Sequence, residues 1–269
     1  MKLKEAIKIL QNAGVENPRH DARQIFELIG KIPRADLLFS DVESNSGVVL
    51  EAINRRACRE PLQYVIGTVD FYRETYEVNK NCLIPRQDTE ILVDFAVKNL
   101  PAGSRFIDVC TGSGCIAIST LKNTKGTHAL AVDISREALE IASKNAERNL
   151  VSDRVEFICA DALSTSADGK FFAVISNPPY ISKDDYKNLE PEIYFEPKQA
   201  FVGGDSGLDF YVKIIGLYKE KLESCGFFAF EIGFDQGEAL TSLAKAHNMS
   251  AEIIKDYSNN DRVAVLRKI

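Results

Sequence analysis

The tetrapeptide Asn177-Pro178-Pro179-Tyr180 follows an apolar run, residues 174–176, that is typical of a buried strand. Two consecutive prolines cannot continue a hydrogen-bonded ladder, so the chain leaves the strand in a stiff, extended turn. This turn places the side-chain amide oxygen of Asn177 beside the backbone carbonyl of Pro178, and both are hydrogen-bond acceptors. Two fixed acceptors suit a planar NH2 group. A proline-rich turn that only ends a strand is an equally good interpretation of these four residues alone.

A second group of small and acidic residues lies earlier in the chain. Gly112-Ser113-Gly114 joins a predicted strand to a predicted helix, where free backbone N–H groups favour an anion such as a carboxylate. Asp133 comes 19 residues after Gly114, at the end of the next strand, and can accept hydrogen bonds from both ribose hydroxyls. This spacing also fits a dinucleotide-binding protein, although the third glycine of that pattern is absent. Asp161 follows a third strand and can either contact an adenine amino group or cap a turn.

The predicted elements place these residues at one edge of a sheet. Strands alternate with helices, which predicts a parallel sheet covered on both faces. Ligands of such sheets bind outside the carboxyl ends of the strands, so the side chains named above converge on one crevice. The helices are predicted to start near Cys115 and after the cap residue Ser135, and to cover residues 208–222 and 237–246. The predicted strands are 105–110, 129–133, 155–159, 171–176, 226–231, 251–255 and 262–267, the last two as an antiparallel pair.

The first 60 residues predict a small helical bundle. Apolar residues at helical spacing stop at Gly14 and again at Gly30, and a third helix is predicted over Val48–Cys58. No set of residues suited to catalysis occurs in this region. A structural or docking role is therefore expected for it.

Two connecting segments follow different patterns. Residues 64–72 and 75–78 are aromatic and β-branched, which predicts a hairpin between two domains. Asp88 or Thr89 is placed to cap the helix that follows. Residues 181–205 are polar and interrupted by prolines, which predicts a lid or a substrate loop.

Composition narrows the class of protein. The chain has 269 residues, of which 45% are hydrophobic and 27% charged, as expected of a soluble globular protein with one large or two ordinary domains. Its net charge of -6 argues against a broad electrostatic grip on nucleic acid, although a local basic patch stays possible. A protein partner or a small substrate fits this charge better.

The cysteine and histidine content gives no indication of a metal site. The six cysteines are scattered without a Cys-x-x-Cys pair, and the chain has three histidines. Reduced thiols in the cytoplasm are therefore expected. The charged amino terminus lacks the apolar core of a signal peptide, and no segment reaches the roughly 18 to 20 apolar residues of a membrane span.

These motifs resemble those of the class I S-adenosylmethionine-dependent methyltransferases. The run Asp108-x-Cys110-x-Gly112-x-Gly114 is similar to their first motif, with the small residue Cys110 in place of the usual first glycine. The tetrapeptide that begins at Asn177 is similar to the motif of enzymes that methylate planar nitrogens. Those nitrogens are either the amino groups of adenine and guanine or the amide of glutamine.

Further segments resemble one family in particular, the peptide-chain-release-factor glutamine methyltransferases. The resemblance extends from about residue 20 to the end of the chain and includes the helical region and the connecting segment. The segments are residues 59–67, 83–90, 196–204, 231–233 and 255–263.

The resemblance implies a fold and a function. It implies a small helical docking domain (1–60), a β-hairpin linker (61–90) and a Rossmann-like methyltransferase domain (91–269). That last domain has a seven-stranded, mostly parallel sheet whose last strand is antiparallel. The implied reaction moves a methyl group from S-adenosyl-L-methionine to the glutamine amide of the Gly-Gly-Gln motif in release factors. The implied partners include no membrane, and nucleic acid only indirectly when the release factor is ribosome-bound.

The resemblance and the strand ends together assign the site residues, with no metal. The expected catalytic residues are Asn177, Pro178 and Tyr180. The expected substrate-binding residues are these three and Pro179. The expected cofactor-binding residues are Asp108, Thr111, Gly112, Gly114, Asp133, Asp161, Ala162 and Asn177.

The chain departs from the family pattern at three places. The usual Pro-Arg-Pro-Glu-Thr-Glu reads Pro-Arg-Gln-Asp-Thr-Glu at residues 85–90, a usual glycine is Arg73, and Ala162 stands where some members have tryptophan. Roles for Asp88, Thr89, Glu90 and Glu231 stay open between the site and structural support. Two other functions also stay open: methylation of adenine or guanine amino groups in nucleic acid, and a non-catalytic cofactor-binding interaction protein.

Overall fold

The chain divides into two units in a computed structural model that describes residues 1–38, 42–164 and 167–269. The first unit comprises Met1–Thr68, Val78–Lys80 and Glu190–Glu196, and the second comprises Val69–Glu77, Asn81–Leu189 and Pro197–Ile269. The chain therefore leaves the first unit and returns to it twice. The domain boundaries expected at residues 60 and 90 stay a prediction.

The first unit is helical, as its apolar spacing predicts. Its helices α1, α2 and α3 enclose a core that includes Leu10, Phe26 and Ile53, all fully buried. The structure has a fourth, short helix, α4, where the sequence pattern predicts a strand at residues 64–66. Pro61 presets the backbone at its start and Gly67, with φ of +88°, ends it. The bounds are α1 Leu3–Asn12, α2 Pro18–Leu28, α3 Gly47–Ala57 and α4 Leu62–Ile66.

Charged hydrogen bonds hold the segment Glu190–Glu196 within the first unit. Glu192 accepts two hydrogen bonds from Arg59, both at 2.7 Å, and one from Arg56 at 3.1 Å. Arg56 also donates to Asp21 at 2.8 Å, and the Arg56 and Asp21 side chains are buried. Such forked, charge-assisted bonds are stronger than neutral ones, and breaking a buried pair from one side is costly. Glu192 therefore completes this unit from a distant part of the chain.

The predicted hairpin is present, with strands β1 (Thr68–Phe71) and β2 (Glu74–Glu77). Its two turn residues, Tyr72 and Arg73, both have positive φ, at 49° and 71°. This is the backbone of a type I′ turn, which Asn-Gly usually occupies. Glu90 Oε1 accepts the Tyr72 N–H at 2.8 Å, and the Tyr72 hydroxyl donates to Asp94 at 2.6 Å. These contacts stabilise a turn whose residues do not favour its backbone.

The second unit contains the predicted seven-stranded sheet, in the order β5-β4-β3-β6-β7-β9-β8. All adjacent pairs up to β7 are parallel, whereas β9 runs antiparallel to both β7 and β8. The fold class predicted from the sequence is therefore confirmed. The strands are β3 Arg105–Val109, β4 His128–Asp133, β5 Val155–Cys159, β6 Phe171–Ser176, β7 Leu222–Glu231, β8 Met249–Lys255 and β9 Asp261–Lys268. The helices are α5 Glu90–Asn99, α6 Cys115–Asn123, α7 Arg136–Arg148, α8 Asp209–Tyr218 and α9 Gly237–Ala246.

Alternate residues of the central strands feed two apolar layers. In β7, Phe227 packs in the layer with α5 and α6, while Phe228 packs in the layer with α8 and α9. The chain runs outward from β3 to β5 and then returns to β6 beside β3, so a topological switch point lies between β3 and β6. Val109 and Ser176 are partners in the register of these two strands. Cys110 and Asn177 therefore leave the sheet side by side.

The described residues contain neither a cluster of metal-ligand side chains nor a helix able to span a membrane. No group of three or more His, Cys, Asp and Glu side chains is arranged to hold a metal ion in the part of the chain that the structure describes. Within the same residues, no helix has the length and apolar character required to cross a membrane.

Candidate active site

A cavity of about 450 Å³ opens at the carboxyl ends of the strands, and all its lining residues belong to the second unit. Three carboxylates (Asp133, Asp161, Asp209) and one amine (Lys183) line it, so its wall is net acidic. Lys183 is also paired with Asp205 at 2.7 Å. The expected site residues that line it are Gly112, Asp133, Asp161, Ala162, Asn177 and Pro179.

The other expected residues lie outside this lining. Thr111 lines a smaller adjacent cavity together with Gly112 and Asn177. Asp108, Gly114, Pro178 and Tyr180 line neither of these two cavities. The structure therefore separates residues that face the open space from residues that hold the turns in place.

The turn after β3 has a left-handed backbone at Cys110 (φ +63°), Gly112 (+56°) and Gly114 (+80°). A Cβ added to Gly112 would meet nothing within 4 Å, so its backbone is open to a ligand. A Cβ on Gly114 would lie 2.9 Å from a methyl of Ile118, so this glycine permits close packing of α6. The two glycines of the motif thus serve different purposes.

Asp108 is fully buried below this turn. Its Oδ2 accepts the Thr111 hydroxyl at 2.6 Å and the Ala117 N–H at 3.2 Å. Its Oδ1 is buried and has no hydrogen-bond partner among the described residues. Burial raises the pKa of Asp108 to about 7, although both hydrogen bonds oppose this rise. Asp108 therefore supports the turn that carries Gly112.

Asp133, at the end of β4, joins the two adjacent turns. Its Oδ2 accepts the Gly112 N–H at 2.8 Å, and its Oδ1 accepts the Ser135 N–H at 2.9 Å. Burial raises its pKa, and these backbone bonds counteract the rise. A carboxylate has about four lone-pair sites, so both oxygens can still accept from hydroxyls in the cavity. Ser135 caps α7 by accepting the Ala138 N–H at 3.1 Å, which confirms the predicted cap.

Asp161 makes the contacts of a turn cap. Its Oδ1 accepts the Leu163 N–H at 2.9 Å and its Oδ2 accepts the Ser164 hydroxyl at 3.0 Å. Because it also lines the cavity with Ala162, the structural and ligand-binding interpretations of Asp161 are compatible.

The Asn-Pro-Pro-Tyr turn presents two acceptors. The Ser176 hydroxyl donates to the Val109 carbonyl and joins the end of β6 to β3. Asn177 donates its Nδ2 to the Thr89 hydroxyl at 3.3 Å. Within the described residues, no group donates to Asn177 Oδ1 or to the Pro178 carbonyl. Both oxygens are therefore available to a ligand.

Gln236 and two glycines hold the rest of this turn, and no sequence pattern indicates Gln236. Its Nε2 donates to the Tyr180 carbonyl at 3.1 Å, and its Oε1 accepts the Gly233 N–H at 3.0 Å. A Cβ on Gly203 would lie 2.2 Å from the Pro179 carbonyl oxygen. A Cβ on Gly207 would lie 2.2 Å from the Tyr180 carbonyl oxygen. The glycines allow the following loop to cross directly over the turn.

The Tyr180 side chain reaches a buried carboxylate and does not line the cavity. Its hydroxyl donates to Glu231 Oε1 at 3.3 Å. Burial raises the pKa of Glu231 to about 6, while Thr89, Arg262 and Tyr180 counteract the rise. The pKa of Tyr180 is raised as well, first because it is buried and then because Glu231 is near.

The segment before α5 differs from its prediction. Thr89 has helical backbone angles and makes no side-chain cap bond to α5, so its predicted capping role was wrong. Asp88 pairs with Arg262 at 3.2 Å instead of capping the helix. Both side chains are directed to the residues around the Asn-Pro-Pro-Tyr turn, which a purely local pattern cannot show.

The sequence did not single out several cavity-lining residues. The predicted substrate loop contributes Lys183 and residues from 197 to 204, and the segment after the hairpin contributes residues 81–83. Only their positions in the sequence could have indicated that these residues line the cavity. Ile134 directly follows Asp133, and the loop directly follows the tetrapeptide. The apolar part of the lining includes Leu83, Ile134, Ala138, Leu163 and Phe210.

Comparisons with known proteins agree with this geometry. The family model described as Methyltransferase small domain matches residues 87–198, and that described as PrmC N-terminal domain matches residues 2–67. The fold resembles that of the ribosomal protein L11 methylase from Lactobacillus delbrueckii subsp. bulgaricus, with a TM-score of 0.52 and 19% identity over 71% of this chain and 84% of that one.

Curated relatives match nearly the full length. The release factor glutamine methyltransferase of Thermodesulfovibrio yellowstonii is 34% identical over 100% of this chain and 99% of its own length. That of Moorella thermoacetica is 35% identical over 97% and 95%. The resemblance recognised in the sequence is thereby confirmed, and the chain belongs to the release factor glutamine methyltransferase family.

Proposed function

We propose that this protein transfers a methyl group from S-adenosyl-L-methionine to the side-chain amide nitrogen of a glutamine in peptide chain release factors. The target is the glutamine of their Gly-Gly-Gln motif. The observation that carries this proposal is a pair of adjacent unpaired acceptors, Asn177 Oδ1 and the Pro178 carbonyl, in a turn whose Asn177 and Pro179 line an acidic cavity. A primary amide has two N–H donors in one plane and matches that pair.

The cavity suits S-adenosyl-L-methionine in its charge and in the groups that line it. The cofactor carries a positive sulfonium, and the net acidic lining favours a cation. The Asp133 carboxylate has lone pairs left for ribose hydroxyls, the absence of a side chain at Gly112 leaves space for the cofactor to approach the backbone, and Asp161 with Ala162 borders the space for the base. Asp108, Thr111 and Gly114 maintain the turn. When bound, the cofactor supplies a methyl group with a good leaving group.

The protein's own residues then supply orientation. An amide nitrogen is a weak nucleophile because its lone pair is delocalised into the carbonyl. Asn177 and Pro178 hold both N–H bonds and so fix the direction of the nitrogen, and they stabilise positive charge that develops on it. Pro179 stiffens the turn, and Tyr180, held by Glu231, closes it on the apolar side. Once methylated, the cationic amide nitrogen is strongly acidic and loses one N–H proton to water, so this mechanism requires no dedicated general base.

The first unit is proposed to dock the release factor. Its match to PrmC N-terminal domain supports this role. We place the reaction in the cytoplasm, with nucleic acid involved only when the release factor is bound to a ribosome.

A methyl-transfer assay with radiolabelled S-adenosyl-L-methionine tests the proposal. Release factor, a variant with its motif glutamine replaced by asparagine, RNA and DNA are offered in parallel. We expect label on the unmodified release factor alone. Label on nucleic acid alone would favour an amino-group methyltransferase, and cofactor binding without transfer to any acceptor would favour a non-catalytic protein.

A further inference from the structure

The Asn177 side chain poses an orientation problem. The oxygen and nitrogen ends of a primary amide have nearly the same shape but opposite hydrogen-bonding character. Only the orientation with Oδ1 toward the substrate offers an acceptor to a substrate N–H. The reverse orientation would place one NH2 group against another. Some neighbouring group must therefore distinguish the two ends of this amide.

Thr89 is the neighbour in contact with the other end. Its side chain is buried, at 2% exposure, and its Oγ1 lies 3.3 Å from Asn177 Nδ2. It makes no capping bond to the helix that it precedes. Its hydroxyl is thus free to serve the turn and is not required by α5.

Glu231 determines which way the Thr89 hydroxyl points. An ionised carboxylate only accepts hydrogen bonds. Its Oε1 accepts the Tyr180 hydroxyl at 3.3 Å, whereas its Oε2 is buried and lacks a hydrogen bond of ordinary geometry among the described residues. Thr89 is close enough to this carboxylate that its side chain opposes the rise in the pKa of Glu231. A hydroxyl has one proton. When Thr89 donates that proton in a hydrogen bond to Glu231, only the lone pairs of the Thr89 oxygen are left to accept from Asn177.

We propose that Thr89 and Glu231 are positioning residues that hold the Asn177 amide with Oδ1 toward the substrate, and thereby make the site select glutamine over glutamate. The selection rests on the proposed function. Reversing the amide would bring Asn177 Oδ1 against the lone pairs of Thr89, where no proton is available. A glutamate side chain would bring a carboxylate against Asn177 Oδ1 and the Pro178 carbonyl, both of them acceptors.

The test compares how tightly two forms of a release factor bind in the absence of methyl donor. One form carries the motif glutamine and the other carries glutamate at that position, and calorimetry gives the ratio of their dissociation constants. Thr89→Val keeps the shape but removes the acceptor, and we expect the preference for glutamine to fall about tenfold, as for one misplaced polar contact. Thr89→Ser restores a hydroxyl, and we expect it to restore the preference.

A matched control separates this effect from the general cost of the substitution. Thr120 is also buried, at 0% exposure, but its hydroxyl has no partner among the described residues. Thr120→Val should leave the preference unchanged. Glu231→Gln gives an independent second variant: its amide can donate to Thr89, which turns the Thr89 proton toward Asn177, so the preference should also fall.

The outcomes distinguish the two proposals. A wild-type protein that prefers glutamine, together with Thr89→Val and Glu231→Gln variants that keep the full preference, would overturn the positioning roles and leave the proposed function intact. A wild-type protein without any preference between the two forms would instead contradict the amide-binding role of Asn177, and with it the proposed function.

Discussion

The turn after β3 and the turn after β6 reach the same cavity by different physical means. The first uses its backbone: three residues within five positions are left-handed, and its buried carboxylate, Asp108, bonds to residues 3 and 9 positions away. The second uses side chains and a carbonyl. Its supports come from Thr89, Glu231 and Gln236, which are 88, 51 and 56 positions from the residues they contact.

This difference indicates how each turn responds to change. A turn made by local backbone geometry carries its own strain and should depend little on distant residues. A turn that is held by residues distant in the sequence should lose its geometry when any of those residues is substituted.

Asn177→Ala should have the largest effect. Removal of one positioned acceptor is expected to lower the rate of methyl transfer by about 10² to 10³, with cofactor affinity nearly unchanged. Steady-state kinetics on release factor and calorimetry with S-adenosyl-L-methionine measure the two quantities. Asn99→Ala, at the exposed end of α5, is the matched control and should retain the rate. Near-normal turnover by Asn177→Ala would refute the role of the β6 turn.

Asp108→Asn tests the locally supported turn through pH. The folded protein keeps a proton on Asp108 up to about pH 7, whereas the unfolded chain releases it near pH 3.8. Because the folded state binds more protons in this window, stability should fall as pH rises from 4 to 7, by on the order of 3 kcal/mol. Urea unfolding should show a smaller fall in Asp108→Asn. Identical pH profiles would mean that Asp108 ionises normally.

Gly203→Ala tests the remote support of the β6 turn. The new methyl group would overlap the Pro179 carbonyl, so we expect a loss of about 1 to 3 kcal/mol in unfolding free energy and a lower rate. Gly216→Ala in α8 is the control, because a Cβ there meets nothing within 4 Å. That control should gain about 0.5 to 1 kcal/mol. Equal effects of both substitutions in urea unfolding would contradict the close crossing.

Cys110→Gly should have the smallest effect. Glycine removes the cost of the left-handed backbone at φ +63°, which is about 1 to 2 kcal/mol for a residue with a side chain. It also gives the unfolded chain more entropy, which opposes this gain in stability. We expect a net change between zero and about 1 kcal/mol in favour of the folded state. Cys110→Ala keeps the strain and should be less stable than Cys110→Gly by thermal unfolding. The reverse order would show that the entropy glycine gains in the unfolded chain outweighs the relief of backbone strain.

Sequence reasoning succeeded where the cause of structure is local. The bounds of β5 and β6, the start of α6 and the Ser135 cap follow from nearby residues, and the structure confirms them. It failed where a side chain has a distant alternative. Thr89 has the residue type and the position of a helix cap, but its hydroxyl is directed to Asn177 and Glu231 instead. The sequence of residues 86–93 does not indicate either of these distant neighbours.

The same limit applies to the site. The motif residues could be named from the sequence because glycine, aspartate and asparagine at strand ends have recognisable chemistry. The sequence did not show that Cys110 adopts a left-handed backbone, since its small size alone was considered. Nor did it indicate Gln236, because a glutamine before a helix has no distinctive local pattern. These features depend on which chain segments meet.

The return of Glu190–Glu196 to the first unit has a consequence for synthesis on the ribosome. Domains generally fold as they emerge, the amino-terminal one first. Here the helices α1 to α4 emerge early, but Arg56 and Arg59 receive Glu192 only after more than 130 further residues have been translated. The first unit therefore lacks its contacts with Glu192 until most of the sheet's parallel strands have left the exit tunnel.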